Sequence, residues 1–384
     1  MALDKIFLVR NVAEDAFGGG EIYQLELAKR LKNNGFCPII ITNSKKLLHE
    51  AKSEDIQFLK PPYLAQQNWS GWRNLLLPKY LLFQNRLKRW YLEMIKKYQP
   101  TVINIQSRDD MIAGTLAAKK CGVKILWTDH ADFKNWVLWN VNNRFKTAIG
   151  KKIIKLSSDV DKVIFVSKRI EEETRRLIAP KKLQNSIVIR NGVEDGFDKY
   201  RAVNVKPMSF VFIGRVVPEK GMEELVDAFR EVTIKYPEVT LNIYGDGEAS
   251  YCKRLGSGCK NIYFCGVINE PLKVLAENQV FILPSHMEGL SLSLLDAAMM
   301  GKKIIATDIG GNSEVVQDRK TGLLVPVKNV NKLAEAMIWM LENKKEAEKM
   351  AKNVRKKYED NFDFDKIFKE EMLPLYNDGG IRKK

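Results

Sequence analysis

Residues 5–42 read KIFLVRNVAEDAFGGGEIYQLELAKRLKNNGFCPIIIT. The run Lys5–Val9 is almost wholly apolar, which is typical of a strand buried on both faces of a parallel sheet. Gly18-Gly19-Gly20 then precedes an amphipathic stripe that stops at Asn33-Asn34-Gly35, and Pro38–Thr42 forms a second apolar run. The order strand, glycine-rich turn, helix and strand predicts a doubly wound α/β domain.

The triple glycine lies where the first strand hands over to the first helix. Because glycine has no Cβ, backbone N–H groups at this turn can come close to a phosphate or a sugar. The turn lacks both the G-x-G-x-x-G spacing and the lysine of a P-loop. A flexible loop therefore stays as the alternative interpretation of this segment.

Short apolar runs alternate with helical patterns along the rest of the chain. Predicted strands are Thr101–Gln106, Val123–Trp127, Lys162–Val166 and Ser186–Arg190, then Phe210–Ile213, Val239–Tyr244, Asn261–Val267, Val280–Leu283 and Lys303–Thr307. Predicted helices include Pro78–Tyr98, Asn143–Leu156 and Lys168–Leu177, then Met222–Lys235, Pro271–Asn278 and Leu290–Met300. We expect two α/β domains, residues 1–195 and 205–360, with a polar linker at Glu194–Pro207 and a C-terminal helix within 361–384 that returns to the first domain.

Composition and charge indicate what kind of partner the chain binds and in which compartment it works. The chain has 384 residues, 45% hydrophobic residues, a formal net charge of +16 and a pI near 9.4, so we expect an anionic partner such as nucleic acid, a membrane surface or a nucleotide-linked substrate. Five scattered cysteines without paired spacing favour a reducing compartment. The N-terminus lacks a signal-peptide core, and no apolar run could span a bilayer. The sequence predicts a cytoplasmic protein, with peripheral membrane contact as an option.

The segment from Arg73 to Lys97 carries seven basic residues and one acidic residue. Within the predicted helix, an aromatic and aliphatic stripe (Tyr80, Phe83, Leu87, Trp90, Met94, Tyr98) is most simply core packing. The basic residues Arg86, Arg89, Lys96 and Lys97 fall mostly on the opposite face. That face is either a solvated surface or a contact for anionic lipid headgroups or an anionic acceptor.

The segment Pro284–Gly301, PSHMEGLSLSLLDAAMMG, follows the apolar run Val280–Leu283 and carries two acids, Glu288 and Asp296. A strand, a sharp turn and a helix N-terminus together form a site that favours anions, and carboxylates beside it can bind sugar hydroxyls. An ordinary βα unit with two solvated acids is the alternative.

Further polar groups follow other strands of the second half. Arg215 and Lys220 lie at the first of these turns, where they could clamp a diphosphate. Gly245-Asp246-Gly247 and Gly266 follow two more strands. In the first half, His130 follows a strand at the edge where α/β sheets bind ligands, and Trp136 lies in a loop that could line an acceptor cleft. A lone histidine is more often structural, so its role stays open.

An ordered set of motifs resembles one known family. The motifs are Gly18-Gly19-Gly20-Glu21, Asp129-His130, Ile189-Arg190-Asn191-Gly192-Val193, Gly214-Arg215 with Lys220-Gly221, Tyr244-Gly245-Asp246-Gly247, Pro284-Ser285 with Glu288, and Thr321-Gly322-Leu323-Leu324-Val325. Together they resemble the retaining glycosyltransferases of family 4. The resemblance implies the GT-B fold, in which two Rossmann-like domains face each other across a cleft.

The family resemblance also implies residue roles. The donor-binding residues it implies are Gly19, Gly20, Arg215, Lys220, Gly266, Val267, Ile268, Gly289, Leu290, Ser291, Leu292 and Asp296. Of these, Arg215 and Lys220 would hold the donor diphosphate, and Asp296 would bind the nucleotide ribose. His130 and Glu288 would contact the donor sugar and carry catalysis. The second acid is Asp where the family has Glu, and the turn reads Gly-Leu-Ser instead of Gly-Phe-Gly, both signs of a divergent member.

These inferences predict a hexosyltransferase that moves a sugar from a nucleotide-sugar donor to a saccharide or lipid-linked acceptor, as in the assembly of polysaccharide, lipopolysaccharide or glycolipid. The resemblance implies front-face attack assisted by the donor phosphate. No His/Cys cluster calls for a metal, and no cofactor is expected. A GT-B nucleotide-sugar epimerase is the alternative enzyme, and a basic nucleic-acid-binding protein is the alternative outside enzymes, although no nucleic-acid motif is present.

Overall fold

The computed structural model describes residues 3–62, 77–130, 133, 144–178 and 183–377. The chain divides into two compact units, one formed by Met1–Arg190 with Phe368–Lys384 and the other by Asn191–Ile367. Each unit is built on its own parallel sheet.

The first unit holds a seven-stranded sheet in the order β3-β2-β1-β4-β5-β6-β7, with every neighbouring pair parallel. Its strands are β1 Lys5–Val9, β2 Cys37–Ile41, β3 Gln57–Leu59, β4 Val102–Ile105, β5 Lys124–Asp129, β6 Lys162–Phe165 and β7 Ser186–Val188. Its helices are α1 Gly19–Asn33, α2 Lys45–Ser53, α3 Leu77–Tyr98, α4 Arg108–Cys121, α5 Arg144–Leu156 and α6 Lys168–Leu177. The central strands are buried on both faces, as their continuous apolar runs require.

The aromatic stripe of α3 packs into the core of this unit, as the sequence predicts. Tyr80 and Leu87 are buried, and Phe83, Trp90, Met94 and Tyr98 pack against the same cluster. Two further positions on this face, Tyr91 and Ile95, are also buried.

The last described segment of the chain packs on the first unit. A single π-helical stretch, Phe368–Met372, leads into a short helix, α16, Leu373–Asn377. The Tyr376 hydroxyl accepts a hydrogen bond from Asn104 Nδ2 (2.7 Å), and Lys124 Nζ donates to the Leu375 carbonyl (2.7 Å). These contacts attach the segment to the middle of the sheet.

The second unit holds a six-stranded parallel sheet in the order β10-β9-β8-β11-β12-β13. Its strands are β8 Lys206–Ile213, β9 Thr240–Tyr244, β10 Ile262–Gly266, β11 Asn278–Leu283, β12 Lys303–Thr307 and β13 Leu323–Val325. Its helices are α7 Phe197–Tyr200, α8 Met222–Lys235, α9 Ala249–Gly256, α10 Pro271–Glu277, α11 Leu292–Met299, α12 Asn312–Val315, α13 Val330–Glu342, α14 Lys344–Asn361 and α15 Phe364–Ile367.

Both sheets reverse their strand order at one point, between β1 and β4 in the first unit and between β8 and β11 in the second. Loops that leave the two strands at such a point run in opposite directions and open a crevice, which is where α/β sheets bind ligands. The residues after β1, β4, β8 and β11 therefore define where each unit can hold a ligand. Across the described ranges, no helix is long and apolar enough to cross a membrane.

Candidate active site

The segment after β11 forms the centre of the candidate site in the second unit. It leaves the sheet at Pro284, turns through Gly289 and Leu290, and enters α11 at Leu292, two residues later than the sequence predicts. The Ser291 hydroxyl contacts the Ser293 hydroxyl (3.1 Å) and caps no backbone N–H. The N–H groups of the first turn of α11 are thus left without a side-chain cap, and their partial positive charge favours an anion.

Glu288 and Lys220 meet at the switch point between β8 and β11. Lys220 Nζ donates to Glu288 Oε1 at 2.6 Å, and Ser285 Oγ donates to the same oxygen at 2.7 Å. The side chains of Lys220 and Glu288 are 19% and 9% exposed. An ion pair with so little solvent contact is screened weakly, so it fixes the direction of both side chains. The structure thus brings two of the predicted site residues, Lys220 and Glu288, into a direct side-chain hydrogen bond.

The backbone of Glu288 is held by the loop that follows β12. Gly311 N donates to the Gly289 carbonyl (2.6 Å), and Gly310 adopts φ +46° directly against Glu288. A Cβ on residue 310 would lie 2.0 Å from the Glu288 carbonyl oxygen. Both the left-handed conformation and the close approach require glycine there.

Asn191 is a site residue that chemical reasoning about strand ends misses. Its Nδ2 donates to the Leu290 carbonyl at 2.9 Å, so it fastens the turn that leads into α11. Asn191 Oδ1 is buried and makes no hydrogen bond within the described chain. The Asn-Gly pair at 191–192 belongs to a motif of the resemblance, which is the one sequence signal that points to it.

Arg215 and residues 266–268 lie on neighbouring loops of the same sheet edge. Arg215 follows β8, is exposed, and forms no ion pair among the residues that the structure covers. Gly266 ends β10 and accepts a hydrogen bond from Gly245 N (2.8 Å), while Val267 is 63% exposed and Ile268 is half-buried. Parallel strands place all these loops at one edge, as predicted, although among the described residues no hydrogen bond or ion pair joins them to Glu288.

Asp296 lies in the middle of α11 and is half-buried. Burial raises the pKa of its carboxyl to about 7. Within the described ranges its carboxyl makes no side-chain hydrogen bond, while its backbone carbonyl accepts from Met300 N (2.9 Å). A carboxyl in this state is ready to accept a polar ligand, and the structure does not bring it into hydrogen-bonding contact with Glu288.

In the first unit, His130 follows β5 and its Nε2 lies 3.3 Å from Gln106 Oε1. The Tyr23 ring packs edge-on against the imidazole, with centroids 5.0 Å apart. Burial, and secondly the charge of Arg10, lowers the pKa of His130 to about 3, so the ring is neutral at pH 7. With an amide oxygen as partner, Nε2 carries the hydrogen and Nδ1 is left as an acceptor.

Arg10 connects the glycine turn with the surroundings of His130. Arg10 Nε donates to Glu21 Oε1 at 2.6 Å, and Glu21 Oε2 accepts a hydrogen bond from Gly18 N at 2.7 Å. A Cβ on Gly20 would lie 2.2 Å from the Arg10 guanidinium, so the absence of a side chain there admits Arg10. The glycine turn is therefore a structured cap and not a flexible loop, and Gly19 begins α1. Gly18 has no side chain that could cap α1, so only the Glu21 half of a capping box is formed, in which the carboxylate accepts from the N-cap N–H.

Of the two regions predicted to contact a membrane or an acceptor, the structure describes one. Trp136 lies outside the described residues. The basic side chains Arg86, Arg89, Lys96 and Lys97 are all exposed on α3, and the same helix exposes Leu81 (45%) and Leu82 (70%). Among the described residues, no cluster of three or more His, Cys, Asp or Glu side chains could hold a metal ion.

Two family models cover most of the chain. Residues 17–197 match the model described as Glycosyltransferase Family 4, and residues 196–357 match the model described as Glycosyl transferases group 1. This chain belongs to the family 4 glycosyltransferases.

Relatives of this family 4 glycosyltransferase include the D-rhamnosyltransferase WbpZ of Pseudomonas aeruginosa, 32% identical over 41% of this chain and 42% of the relative. A glycogen synthase of Mycobacterium tuberculosis is 27% identical over 55% of this chain and 53% of the relative. The chain spans about half the length of these curated relatives. An uncharacterized glycosyltransferase of Methanocaldococcus jannaschii is 26% identical over 75% of this chain and 82% of the relative.

Solved structures match nearly the whole family 4 chain. A glycosyltransferase from Rickettsia africae superposes with a TM-score of 0.75 at 22% identity, covering 99% of both chains. Anabaena HepE in complex with UDP-glucose superposes with a TM-score of 0.76 at 17% identity, covering 97% of this chain and 98% of that one. These matches show the predicted GT-B fold with its two Rossmann-like domains.

Proposed function

We propose that this chain is a retaining glycosyltransferase that moves a sugar from a nucleotide-diphosphate sugar to a saccharide or lipid-linked acceptor. The observation that carries the proposal is the Lys220–Glu288 pair at the switch point of the second sheet. A cation for the diphosphate and a carboxylate for sugar hydroxyls lie there within one hydrogen bond of each other. A donor has both chemical parts, and a bare nucleotide or a simple sugar has only one.

Charge supplies the main catalytic contribution in this mechanism. Cleavage of the sugar–phosphate bond leaves negative charge on the diphosphate and positive charge on the sugar ring. Lys220, Arg215 and the uncapped N–H groups of α11 would stabilise the diphosphate, which fixed dipoles and charges do without reorganising. Because these groups supply the positive charge, we propose that transfer needs no metal ion. Glu288 would accept hydrogen bonds from hydroxyls of the donor sugar and keep the ring in place.

His130 would contribute a neutral imidazole to the transfer reaction. A neutral ring can accept a hydrogen bond from a sugar hydroxyl at one ring nitrogen without adding positive charge beside an oxocarbenium-like sugar. Retention of anomeric configuration is proposed from the family resemblance, together with front-face attack. The anomer of the product, measured by NMR before it equilibrates, tests retention directly.

UDP is the first donor nucleotide to test, because Anabaena HepE was solved with UDP and with UDP-glucose. Two of the relatives are named a rhamnosyltransferase and a glycogen synthase, and these names support a saccharide acceptor in polysaccharide biosynthesis.

We also propose that α3 contacts an anionic membrane surface peripherally. Its exposed face combines four cations with two exposed leucines, Leu81 and Leu82. Cations attract anionic headgroups, and apolar side chains at the same face can enter the headgroup boundary.

A thermal-shift panel of UDP, GDP, ADP and their glucose conjugates tests the proposed function. A ligand that binds the native state raises the unfolding temperature. We expect one nucleotide family to stabilise the protein and a Glu288→Ala variant to lose transfer while keeping the fold. Conversion of the donor to a rearranged nucleotide sugar without acceptor would replace transfer with epimerisation. Stabilisation by duplex DNA alone would contradict both.

A further inference from the structure

The second unit contains a cavity of about 750 Å³ that no part of the proposed donor site uses. It lies between α14, Trp339 of α13 and the loop 317–321 that precedes β13. Loops that precede parallel strands lie at the edge opposite to loops that follow them. The cavity is therefore at the far edge of the sheet from Glu288, and its volume is in the range of known ligand pockets.

The lining of this cavity is strongly cationic. Four cations line it without an ion pair among the residues that the structure describes: Arg319, Lys320, Lys349 and Lys356. Unpaired cations around one concave surface raise the local potential and favour an anionic ligand. Two acids, Glu346 and Asp360, line it as well, so the site is not adapted to a polyanion alone.

The remaining lining residues suit a sugar. Trp339 offers an aromatic ring, and the Arg319 guanidinium lies 5.7 Å from its centroid. Gln317 and Asn353 add side-chain amides, which together with the two carboxylates can exchange hydrogen bonds with hydroxyl groups. An aromatic ring, amides, carboxylates and cations around one cavity match the ring, the hydroxyls and the acidic groups of a charged saccharide.

The loop that forms one wall is held in an uncommon conformation. Arg319 adopts φ +57°, a left-handed value that costs energy for a residue with a side chain. Its N–H donates to the Gly322 carbonyl at 2.8 Å, and Asn353 Nδ2 of α14 donates to the Lys320 carbonyl at 2.9 Å. The neighbouring helix thus fixes the loop with Arg319 beside Trp339, so the site is built before any ligand arrives.

We propose that this cavity binds an acidic oligosaccharide, one that carries carboxylate or phosphate groups, at a site separate from sugar transfer. The site does not depend on the proposed transferase activity, and direct binding tests it. Trigalacturonate is a suitable probe, since it joins three sugar rings with three carboxylates. Neutral maltotriose and an end-blocked triglutamate peptide separate the contributions of ring and charge.

Helix α14 offers a matched pair of variants. Lys349 and Lys356 are seven residues apart, on one face, and line the cavity, whereas Lys345 and Lys352 have the same spacing, are exposed and do not line it. We expect Lys349→Glu with Lys356→Glu to weaken trigalacturonate binding at least tenfold by calorimetry. Lys345→Glu with Lys352→Glu should change it less than threefold. An equal loss in both double variants, or no loss in either, would overturn the proposal.

Trp339 distinguishes a saccharide site from a general anion site. Trp339→Phe keeps an aromatic ring in α13 and is expected to weaken trigalacturonate binding severalfold while triglutamate stays a weak ligand throughout. If triglutamate binds the wild type as tightly as trigalacturonate, the cavity is an anion site without saccharide preference and the proposal fails. UDP binding, measured on every variant, should stay unchanged, which separates this site from the donor site.

Discussion

Lys220 Nζ lies 2.6 Å from Glu288 Oε1, so the cation expected on the diphosphate and the carboxylate expected on the sugar neutralise each other before a donor binds. When a donor binds, its diphosphate has to take Lys220 from this ion pair and its sugar has to take Glu288. Neutral Gln at 288 should release Lys220 for the diphosphate. We expect Glu288→Gln to lower kcat about 100-fold or more, in the range typical for an electrostatic group at the reacting centre, and to leave UDP affinity unchanged or tighter.

Lys220→Gln should act differently. It should weaken UDP binding and lower kcat together, because it removes the cation that binds the diphosphate. Calorimetry with UDP and initial rates on the same preparations measure both effects. If both variants weaken UDP binding equally, the division of roles between Lys220 and Glu288 is contradicted.

The contact of Gly310 with Glu288 predicts that a single methyl group disturbs the site. Gly310→Ala places a Cβ 2.0 Å from the Glu288 carbonyl oxygen, so the loop must move. We expect a loss of at least about 2 kcal/mol in unfolding free energy and a large loss of transfer. Gly258→Ala is the control, because Gly258 also has a left-handed φ (+80°) but no atom within 4 Å of a Cβ. The loss of unfolding free energy in Gly258→Ala should stay near the backbone cost of a left-handed alanine, about 1 kcal/mol. Urea unfolding compares the two, and equal losses would remove the steric argument.

The raised pKa of Asp296 predicts a pH dependence of stability. Its native pKa of about 7 exceeds the unfolded value of 3.8, so the native state binds more protons between these values and stability falls as pH rises from about 4 to 7. Asp110, whose pKa burial also raises to about 7, contributes in the same direction. Asp296→Asn should therefore flatten part of the decline, by roughly 1–3 kcal/mol, because the partly buried carboxyl keeps some solvation. Parallel curves for variant and wild type between pH 4 and 8 would show that Asp296 does not titrate in this range.

The lowered pKa of His130 predicts a change of stability in the opposite direction, which appears at acid pH. Its native pKa of about 3 lies below its ordinary value of 6.5, so the unfolded chain gains the proton first and stability falls as pH drops below about 6.5. Among the described residues, the charged and polar groups that face the ring are Arg10, Tyr23 and Gln106. Arg10→Gln removes the like charge and should move the acid limb of kcat/KM to higher pH, although burial, the larger cause, keeps it below 6.5. Lys46→Gln is the charge-matched control and should leave the limb in place; an equal shift in both variants would refute a local effect.

The exposed face of α3 predicts membrane binding. Reversing Arg86, Arg89, Lys96 and Lys97 to Glu should abolish sedimentation with vesicles rich in phosphatidylglycerol. The same reversal at Lys344, Lys345, Lys349 and Lys352 of α14 should reduce it only slightly, because only lysines and arginines near the anionic surface contribute to binding, by about 1 kcal/mol each. Leu82→Ser should weaken binding while preserving its salt dependence. If both fourfold reversals act alike, attraction follows net charge and α3 is an ordinary solvated face.

Much of the fold could be predicted because buried parallel strands leave a plain pattern. Lys5–Val9, Lys168–Leu177 and Lys303–Thr307 match their predicted bounds, since short apolar runs and capping residues are local signals. Helix α4 was not predictable in this way. Residues along most of its length are buried, so it lacks the polar face from which helical periodicity is recognised.

The sequence by itself determined which residue types follow each strand, and an ordered set of motifs determined the family. The segment 284–301 shows the division: its turn and its acid at 288 follow from local chemistry, whereas its helix begins two residues later than the sequence predicts. Only the tertiary structure decided the partners. Glu288 meets Lys220 from 68 residues away, Leu290 meets Asn191 from 99 residues away, and Arg10 meets Gln106 from 96 residues away. Strand order brings these groups together, and strand order is set by the packing of the whole sheet, which no local pattern in the chain encodes.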